Sequence, residues 1–404
     1  MNAVPLEPLL LQNERKIVLL VLDGLGDLSH PDRQWKTPLE VAATPNLDAI
    51  APVSAQGRLL PVAPGITPGS GPGHLGLFGY DPATTPVGRG VLEALGAGLS
   101  LAPGDVAARA NFCTLDARGI VTDRRAGRIP TETCGRLVAS LRAGLGRIED
   151  VEVIVEPGKG HRFVVLLRGP GLTGGVSDAD PHHEGSAIPP VRPLMPEAAK
   201  TARVVEALVT RAAQLLKNES PANGVLMRGV SGRPNLPGFR ERFGLRAAAI
   251  AAYPMYRGVA QLAGMAVVEV AGETPGDAFR AAAECWKEFD FFFLHVKGTD
   301  MAGEDENFDA KVTVIETVDR TLPDLLKLQP DVLCITGDHS TPVLMKQHSW
   351  HPVPALIRGP WCGADHAPRF HEKAARIGSL GTIESRHLMT LLLANAGRLD
   401  KFGA

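Results

Sequence analysis

The sequence predicts an α/β protein, a doubly wound and mostly parallel sheet with helices on both faces, carrying a smaller inserted α+β domain. Three observations lead there. Continuous apolar runs of strand length alternate with helical patterns along both ends of the chain. Several of those runs stop at glycine-containing acidic turns, as strands of open α/β sheets do where they face a ligand crevice. A central segment breaks the alternation and reads as an antiparallel hairpin.

Taken in order, "KIVLLVLDG" is a strand from Lys16 to Leu22 of the kind buried on both faces of a parallel sheet, ended by Asp23 and Gly24. "TPNLDAI" follows as a helix near Pro45 to Ile50, with Thr44 as N-cap and Pro45 at the first helical position. "VEVIVEPGKGHRFVVLLRG", Val151 to Gly169, is the hairpin. "PEAAKTARVVEALVTRAAQLLKN" is an amphipathic helix starting at a proline, placed to return the chain to the core. Strands are then expected at 247–252, 265–270, 289–296, 331–336 and 354–357, with clear helices at "DAKVTVIETVDRTLPDLL" and "HLMTLLLANAG". The organisation that follows is a core from 1–95 and 216–404, interrupted by an insert at 96–215.

Composition narrows the function. Among 404 residues, 42 basic and 44 acidic side chains give a net charge of -2, so there is no electrostatic footprint for nucleic acid or an anionic membrane surface. The five cysteines are scattered without CxxC spacing, which fits a reducing cytoplasm and no disulfide framework. The N-terminal stretch lacks a basic n-region, and no segment has the length of apolar residues that a membrane span requires. A soluble, cytoplasmic enzyme is expected.

Asp23, Asp300 and the pair Asp338–His339 stand just beyond strand ends, where a doubly wound sheet could gather them. Each aspartate alone reads as an Asx turn or helix cap. Together, with His348 in "DHSTPVLMKQHSWHPVP", they read as a metal centre, because ionised carboxylates crowd only around a cation and imidazoles complete the donor set. His74, His161 and His295, each alone, read as satisfied core or surface histidines. In "VAPGITPGSGPGHLGLFGYDP", Gly71, Gly73 and Gly76 match GxGxxG, but a proline-rich approach instead of a strand rules out a dinucleotide fold. Ser70 lies between glycines, open to an approaching phosphorus, and is the candidate nucleophile.

The motifs "VLDGLGD", "TPLEVAATPNLD", "PGSGPGHLGLFGYDP", "GRGVLEALGAG", "DRRAGR", "HVKGTDMAGED" and "TGDHSTPVLMKQHSWHPVP" occur in an order that resembles the archaeal-type cofactor-independent phosphoglycerate mutases of the alkaline phosphatase superfamily. The resemblance spans most of the chain. It implies a metallophosphatase-like core built from both chain ends, with a substrate-handling domain between them. It also implies two divalent ions, one held by Asp23, Ser70, Asp338 and His339 and the other by Asp300, the position of Glu304, and His348. Where the family usually has histidine, this chain has Glu304, a hard donor that suits a divalent ion, with Asp305 and Glu306 as neighbouring alternatives.

The implied reaction interconverts 3-phosphoglycerate and 2-phosphoglycerate through phosphorylated Ser70, without 2,3-bisphosphoglycerate, the insert closing over the glycerate to keep water out. A phosphomonoesterase, or a mutase for another phosphorylated substrate, is the alternative on the same metals. Mixed oxygen and nitrogen donors favour manganese, with zinc, cobalt or magnesium as alternatives. For the substrate's anionic groups the resemblance points to Arg124, Arg125, Arg128, Arg228 and Arg257, whose guanidinium forks fit carboxylate and phosphate. Asn111, His161 and His182 are further candidates.

Overall fold

Ile17–Leu22, six apolar residues with every side chain buried, lies inside an eight-stranded sheet. Along the sheet the strands run Ala266–Val267, Ala247–Ile250, Phe291–Val296, Ile17–Leu22, Val332–Thr336, Val353–Arg358, Ala55–Leu60 and Gly381–Glu384. Ile17–Leu22 is parallel to both neighbours, with Leu22 opposite Val296 and Val21 opposite Thr336. Only Val353–Arg358 runs against its neighbours. Three adjacent parallel strands therefore end at one edge, and the turns that follow them carry Asp23, Lys297 to Asp300, and Asp338 with His339. The structure, a computed structural model, describes residues 5–403.

The chain divides into two compact units, Met1–Pro86 with Leu236–Ala404, and Val87–Asn235. In the second unit, Val106–Leu115 pairs antiparallel with Val121–Asp123, Arg162–Arg168 and Gly224–Gly232, and Val151–Pro157 joins Arg162–Arg168 as the hairpin. Buried side chains of helices Thr131–Leu145 and Ala199–Leu216 pack with this sheet in one core. The unit reaches beyond 96–215 at both ends. Its first helix, Arg89–Gly96, lies so close to the sheet that a Cβ on Gly90 would sit 2.1 Å from the Ala107 carbonyl oxygen.

Two local expectations are corrected. Of 265–270 only Ala266–Val267 forms a strand, because this edge segment finds just two residues of Ala247–Ile250 to pair with. Helix Pro45–Ile50 exists, but Thr44 makes no capping bond, and its hydroxyl donates instead to Asp48 Oδ1 at 3.2 Å. The free amides are met from a distant helix, Phe308–Leu326, whose buried Asp319 accepts from Leu47 N at 2.7 Å, Asn46 N at 3.3 Å and Asn46 Nδ2 at 3.0 Å. Among the described residues no helix is long and apolar enough to cross a membrane.

Asp319→Ala removes a buried carboxylate and strands the Leu47 amide, so it should cost about 3 kcal/mol of stability, whereas Thr44→Ala should cost well under about 1 kcal/mol. Urea unfolding of both variants checks the contrast.

Candidate metal centre and arginine basin

Gly24 allows the turn after the central strand. Its φ is +63°, and a Cβ there would lie 2.4 Å from Thr341 Oγ1 and 3.0 Å from the Asp300 backbone. The close approach brings three acidic turns together. His339 Nε2 stands 3.2 Å from Asp23 Oδ1 and 3.2 Å from Asp338 Oδ2, all three side chains being fully buried. None of these three atoms makes a hydrogen bond. Buried polar atoms are ordinarily paired, so two carboxylate oxygens and an imidazole nitrogen left facing one another fit a shared cation.

The remaining donors and acceptors of the cluster are occupied. Asp23 Oδ2 accepts from Tyr256 Oη at 2.5 Å and Lys297 Nζ at 3.0 Å, and Asp338 Oδ1 accepts from the Gly24 amide at 3.2 Å. Burial acts to raise the Asp23 pKa, but the imidazoles of His295 and His339 hold it well below the usual carboxylate range. Burial likewise opposes the charged form of His339, yet Asp338, Asp23 and Asp300 push it up to about 9.

Asp300, His339 and His348 form a second group able to hold a cation. His348 Nδ1 donates to the Pro68 carbonyl at 3.0 Å, which leaves Nε2 as a lone-pair donor 3.5 Å from Asp300 Oδ1. Lys297 Nζ contacts Asp300 Oδ2 at 2.5 Å and Thr341 Oγ1 donates to Asp300 Oδ1 at 2.7 Å. Glu304 ends the helix Gly298–Glu304 that contains Asp300, and its Oε1 is 3.9 Å from His348 Nε2. Glu306, by contrast, pairs with Lys346 at 2.5 Å, and both are exposed.

Ser70 is the first residue of helix Ser70–Leu77. His74, one turn on, donates from Nδ1 to the Ser70 carbonyl at 2.8 Å. Gly73 lets this helix meet the Asp338 turn, since a Cβ would lie 2.6 Å from the Asp338 carbonyl oxygen. Burial and the charges of Asp23 and Asp338 push the Tyr256 phenol up, with the Ser70 side chain acting in the opposite sense. His74 and His295 are not the satisfied histidines expected. Their Nε2 atoms are buried without partners, His295 3.4 Å from Asp23 Oδ2 and His74 with its other nitrogen 3.1 Å from Asp338 Oδ2.

Sequence reading missed Tyr256, Lys297 and Lys311. Lys297 stands in the quoted "HVKGTD", but nothing local shows that its ammonium reaches two carboxylates. Lys311, fully buried, bonds Asp27 Oδ2 at 2.7 Å and the carbonyls of Gly24 and Thr341, each at 2.9 Å. Asp27 in turn accepts from the Val343 amide. The turns bearing Asp23 and Asp338–His339 are thereby joined through one side chain.

In the unit Val87–Asn235, a cavity of about 450 Å³ is lined by Asn111, Arg124, Arg125, Arg128, His161 and Arg228, and also by Arg109 and Arg162, which the sequence did not single out. Arg125 and Arg128 are presented by a tight turn in which Ala126, Gly127 and Arg128 all have positive φ. Asp123 clasps it, accepting from the amides of Arg125 at 2.7 Å and Gly127 at 2.6 Å. Two candidates fall outside the cavity lining. His182 is exposed and faces Asp178 at 3.3 Å, and Arg257 belongs to the other unit, where it pairs with Glu269 at 3.1 Å.

Asp180, fully buried, holds two of these arginines: Arg124 donates from Nε at 3.1 Å and from Nη2 at 2.7 Å, and Arg228 Nε lies 3.3 Å away. Burial acts to raise the Asp180 pKa, but the Arg124 bonds, the His182 amide and the Arg228 charge outweigh it and hold the carboxyl below its usual range. A depressed carboxylate pKa stabilises the fold above the unfolded-state value near ~4 and loses that contribution as pH falls through the folded-state value. Asp180→Asn should therefore be less stable than the parent at pH 7, with the gap narrowing below about pH 4. Thermal unfolding across pH 3–7 measures it, and a gap independent of pH would contradict the assignment.

The sequence profile described as 2,3-bisphosphoglycerate-independent phosphoglycerate mutase matches residues 51–223. A Thermotoga neapolitana protein named "Probable 2,3-bisphosphoglycerate-independent phosphoglycerate mutase" is 53% identical over 392 residues, covering 97% of this chain and 96% of its own. A Thermus thermophilus protein of the same name is 53% identical over 395 residues, covering 96% of each chain. Among solved structures, the cofactor-independent phosphoglycerate mutase from Thermoplasma acidophilum superposes with a TM-score of 0.80 at 31% identity, over 95% of this chain and 100% of that one. With relatives this similar over nearly the whole chain, the protein belongs to the family of 2,3-bisphosphoglycerate-independent phosphoglycerate mutases.

Proposed function

We propose that the chain interconverts 3-phosphoglycerate and 2-phosphoglycerate, with Ser70 carrying the phosphoryl group between the two positions. The observation that carries this reading is the set of unpartnered buried atoms on Asp23, Asp338 and His339, gathered next to the helix that begins at Ser70. Such a donor set suits hard or borderline divalent ions. Asp23, Ser70, Asp338 and His339 would hold one and Asp300, Glu304 and His348 the other, with manganese favoured over magnesium, zinc or cobalt by the oxygen-rich ligands. Bound there, divalent ions supply Lewis-acid charge that favours the Ser70 alkoxide and offsets charge on the phosphoryl group.

The side chains account for the rest of the reaction. Ser70 gives up its hydroxyl proton as Oγ attacks the phosphorus, the bond from phosphorus to the glycerate oxygen breaks, and the alkoxide left behind takes up a proton to become the alcohol. The glycerate then turns so that its other hydroxyl, giving up its proton, attacks the phosphoserine; the bond from phosphorus to Ser70 Oγ breaks and Ser70 is reprotonated. Tyr256 and Lys297 keep Oδ2 of Asp23 occupied, so Oδ1 is the oxygen that would hold a cation.

An enolase-coupled assay on protein reconstituted with manganese, without added 2,3-bisphosphoglycerate, tests the activity, and release of inorganic phosphate in place of the isomer would make the enzyme a phosphomonoesterase. Ser70→Ala should lower turnover by at least about a thousandfold while the fold persists, because the nucleophile is lost. Activity near the parent level would end the phosphoserine reading.

For the second ion, Glu304→Ala should lower manganese stoichiometry or affinity, and Glu304→His should shift preference towards zinc as a softer donor replaces a carboxylate. Glu306→Ala should leave metal content unchanged, since Glu306 is engaged by Lys346. Metal analysis of the dialysed variants decides between the two glutamates.

A further inference from the structure

His339 belongs to both groups able to hold a cation, and its two ring nitrogens have different surroundings. Nε2 is the buried, unpartnered atom that faces Asp23 Oδ1 and Asp338 Oδ2. Nδ1 lies 3.0 Å from Thr341 Oγ1, and the same hydroxyl oxygen lies 2.7 Å from Asp300 Oδ1. His339, Thr341 and Asp300 are all buried. One hydroxyl therefore stands between a side chain of the first group and a side chain of the second.

A threonine hydroxyl has a single proton, and a carboxylate oxygen only accepts. Asp300 is paired through its other oxygen with Lys297, so the Thr341 proton goes to Oδ1; otherwise two acceptors would meet with no hydrogen between them. Thr341 Oγ1 is left with lone pairs towards His339, which makes Nδ1 the N–H that donates to it. In a neutral imidazole with its proton on Nδ1, the lone pair is on Nε2, the atom that a cation needs. Stacking on His348, with ring centroids 3.7 Å apart, holds the plane of His339 but does not select the nitrogen that carries the proton.

Thr341 is itself held in place. Its amide donates to the carbonyls of Gly26 at 3.1 Å and Gly24 at 3.3 Å, and its carbonyl accepts from Lys311 at 2.9 Å. Its Cγ2 methyl packs on Gly303 of the helix Gly298–Glu304, where a Cβ would come within 2.9 Å of that methyl and 2.3 Å of the Thr341 carbonyl oxygen. A β-branched side chain with a clamped backbone and a confined methyl has little choice of rotamer, and the one it adopts aims the hydroxyl between the two groups.

We propose that Thr341 is a positioning residue whose hydroxyl sets the tautomer of His339 and ties it to Asp300, so that the two cation sites form as one unit. This rests on the two-ion reading above and not on which phosphate ester is turned over. A threonine kept for packing would act through its methyl instead.

The two roles separate in a pair of variants. Thr341→Val keeps the branching and removes the hydroxyl, whereas Thr341→Ser keeps the hydroxyl and removes the methyl. In equilibrium dialysis of the full-length protein against manganese, Thr341→Val should bind both ions at least about tenfold more weakly than the parent, and Thr341→Ser within about threefold of it. Circular dichroism checks that each is folded. Nitrogen NMR of the zinc-loaded parent should show His339 protonated at Nδ1 with the metal on Nε2, and this spectrum decides the tautomer even where the valine variant fails to fold. Parent-like manganese binding by Thr341→Val, a serine variant that binds more weakly than the valine one, or a His339 protonated at Nε2 overturns the proposal. Binding is measured without substrate, so a parent that takes up manganese but has no mutase turnover sinks the activity assignment and leaves the Thr341 comparison decisive.

Discussion

The buried ammonium of Lys311 is the point on which the metal centre is assembled. A fully buried charge is tolerable only when every hydrogen finds an acceptor. Here the acceptors are the Asp27 carboxylate and the carbonyls of Gly24 and Thr341, drawn from turns far apart in sequence. Those turns contain or adjoin Asp23, Asp338 and His339. The desolvation cost of the lysine makes the turns interdependent, because a shift in either one strips an acceptor from a charge that has no water to fall back on.

A second regularity concerns how the aspartates are divided. Oδ2 of Asp23 and Oδ2 of Asp300 both bond Lys297, while the Oδ1 atoms face His339 and His348. One cationic side chain thus fixes the rotation of two carboxylates and lowers the net negative charge of the cluster. Oriented carboxylates spend less conformational entropy on binding than free ones, and a reduced local charge tempers affinity. The arginine basin follows the opposite rule, with Asp180, Asp123 and Glu93 each restraining guanidinium-bearing segments that would otherwise repel one another.

Much of this was legible in the sequence because it is written in short-range signals. Continuous apolar runs such as Ile17–Leu22 and Phe291–Val296 declare buried parallel strands, and a glycine or aspartate at their ends declares the turn. The topology then needs only adjacency of those strands to collect Asp23, Asp300 and Asp338. What the sequence hid depends on tertiary contacts. Lys311 looks like any polar position on an amphipathic helix, and only packing against the Gly24 turn makes it internal. Asp319 serves as a cap for a helix some 270 residues earlier, so Thr44 received a role that local pattern assigns and the fold gives elsewhere. Arg109 falls inside a strand, where neither periodicity nor spacing separates it from a surface charge. Arg257 and His182 lie outside the lining of the arginine cavity and pair with Glu269 and Asp178.

Lys311 and Asp319 lie on the same helix, Phe308–Leu326, one holding the turns beneath the metal centre and the other the start of Pro45–Ile50. Eight residues of helix place them about 12 Å apart along the axis. The helix therefore works as a ruler whose two marks must both fall on fixed points. Its outer face is free to drift through substitution, but one residue gained or lost between the marks would turn one against the other by about 100°. Evolution of this segment is thus open to changes of side chain and closed to changes of length.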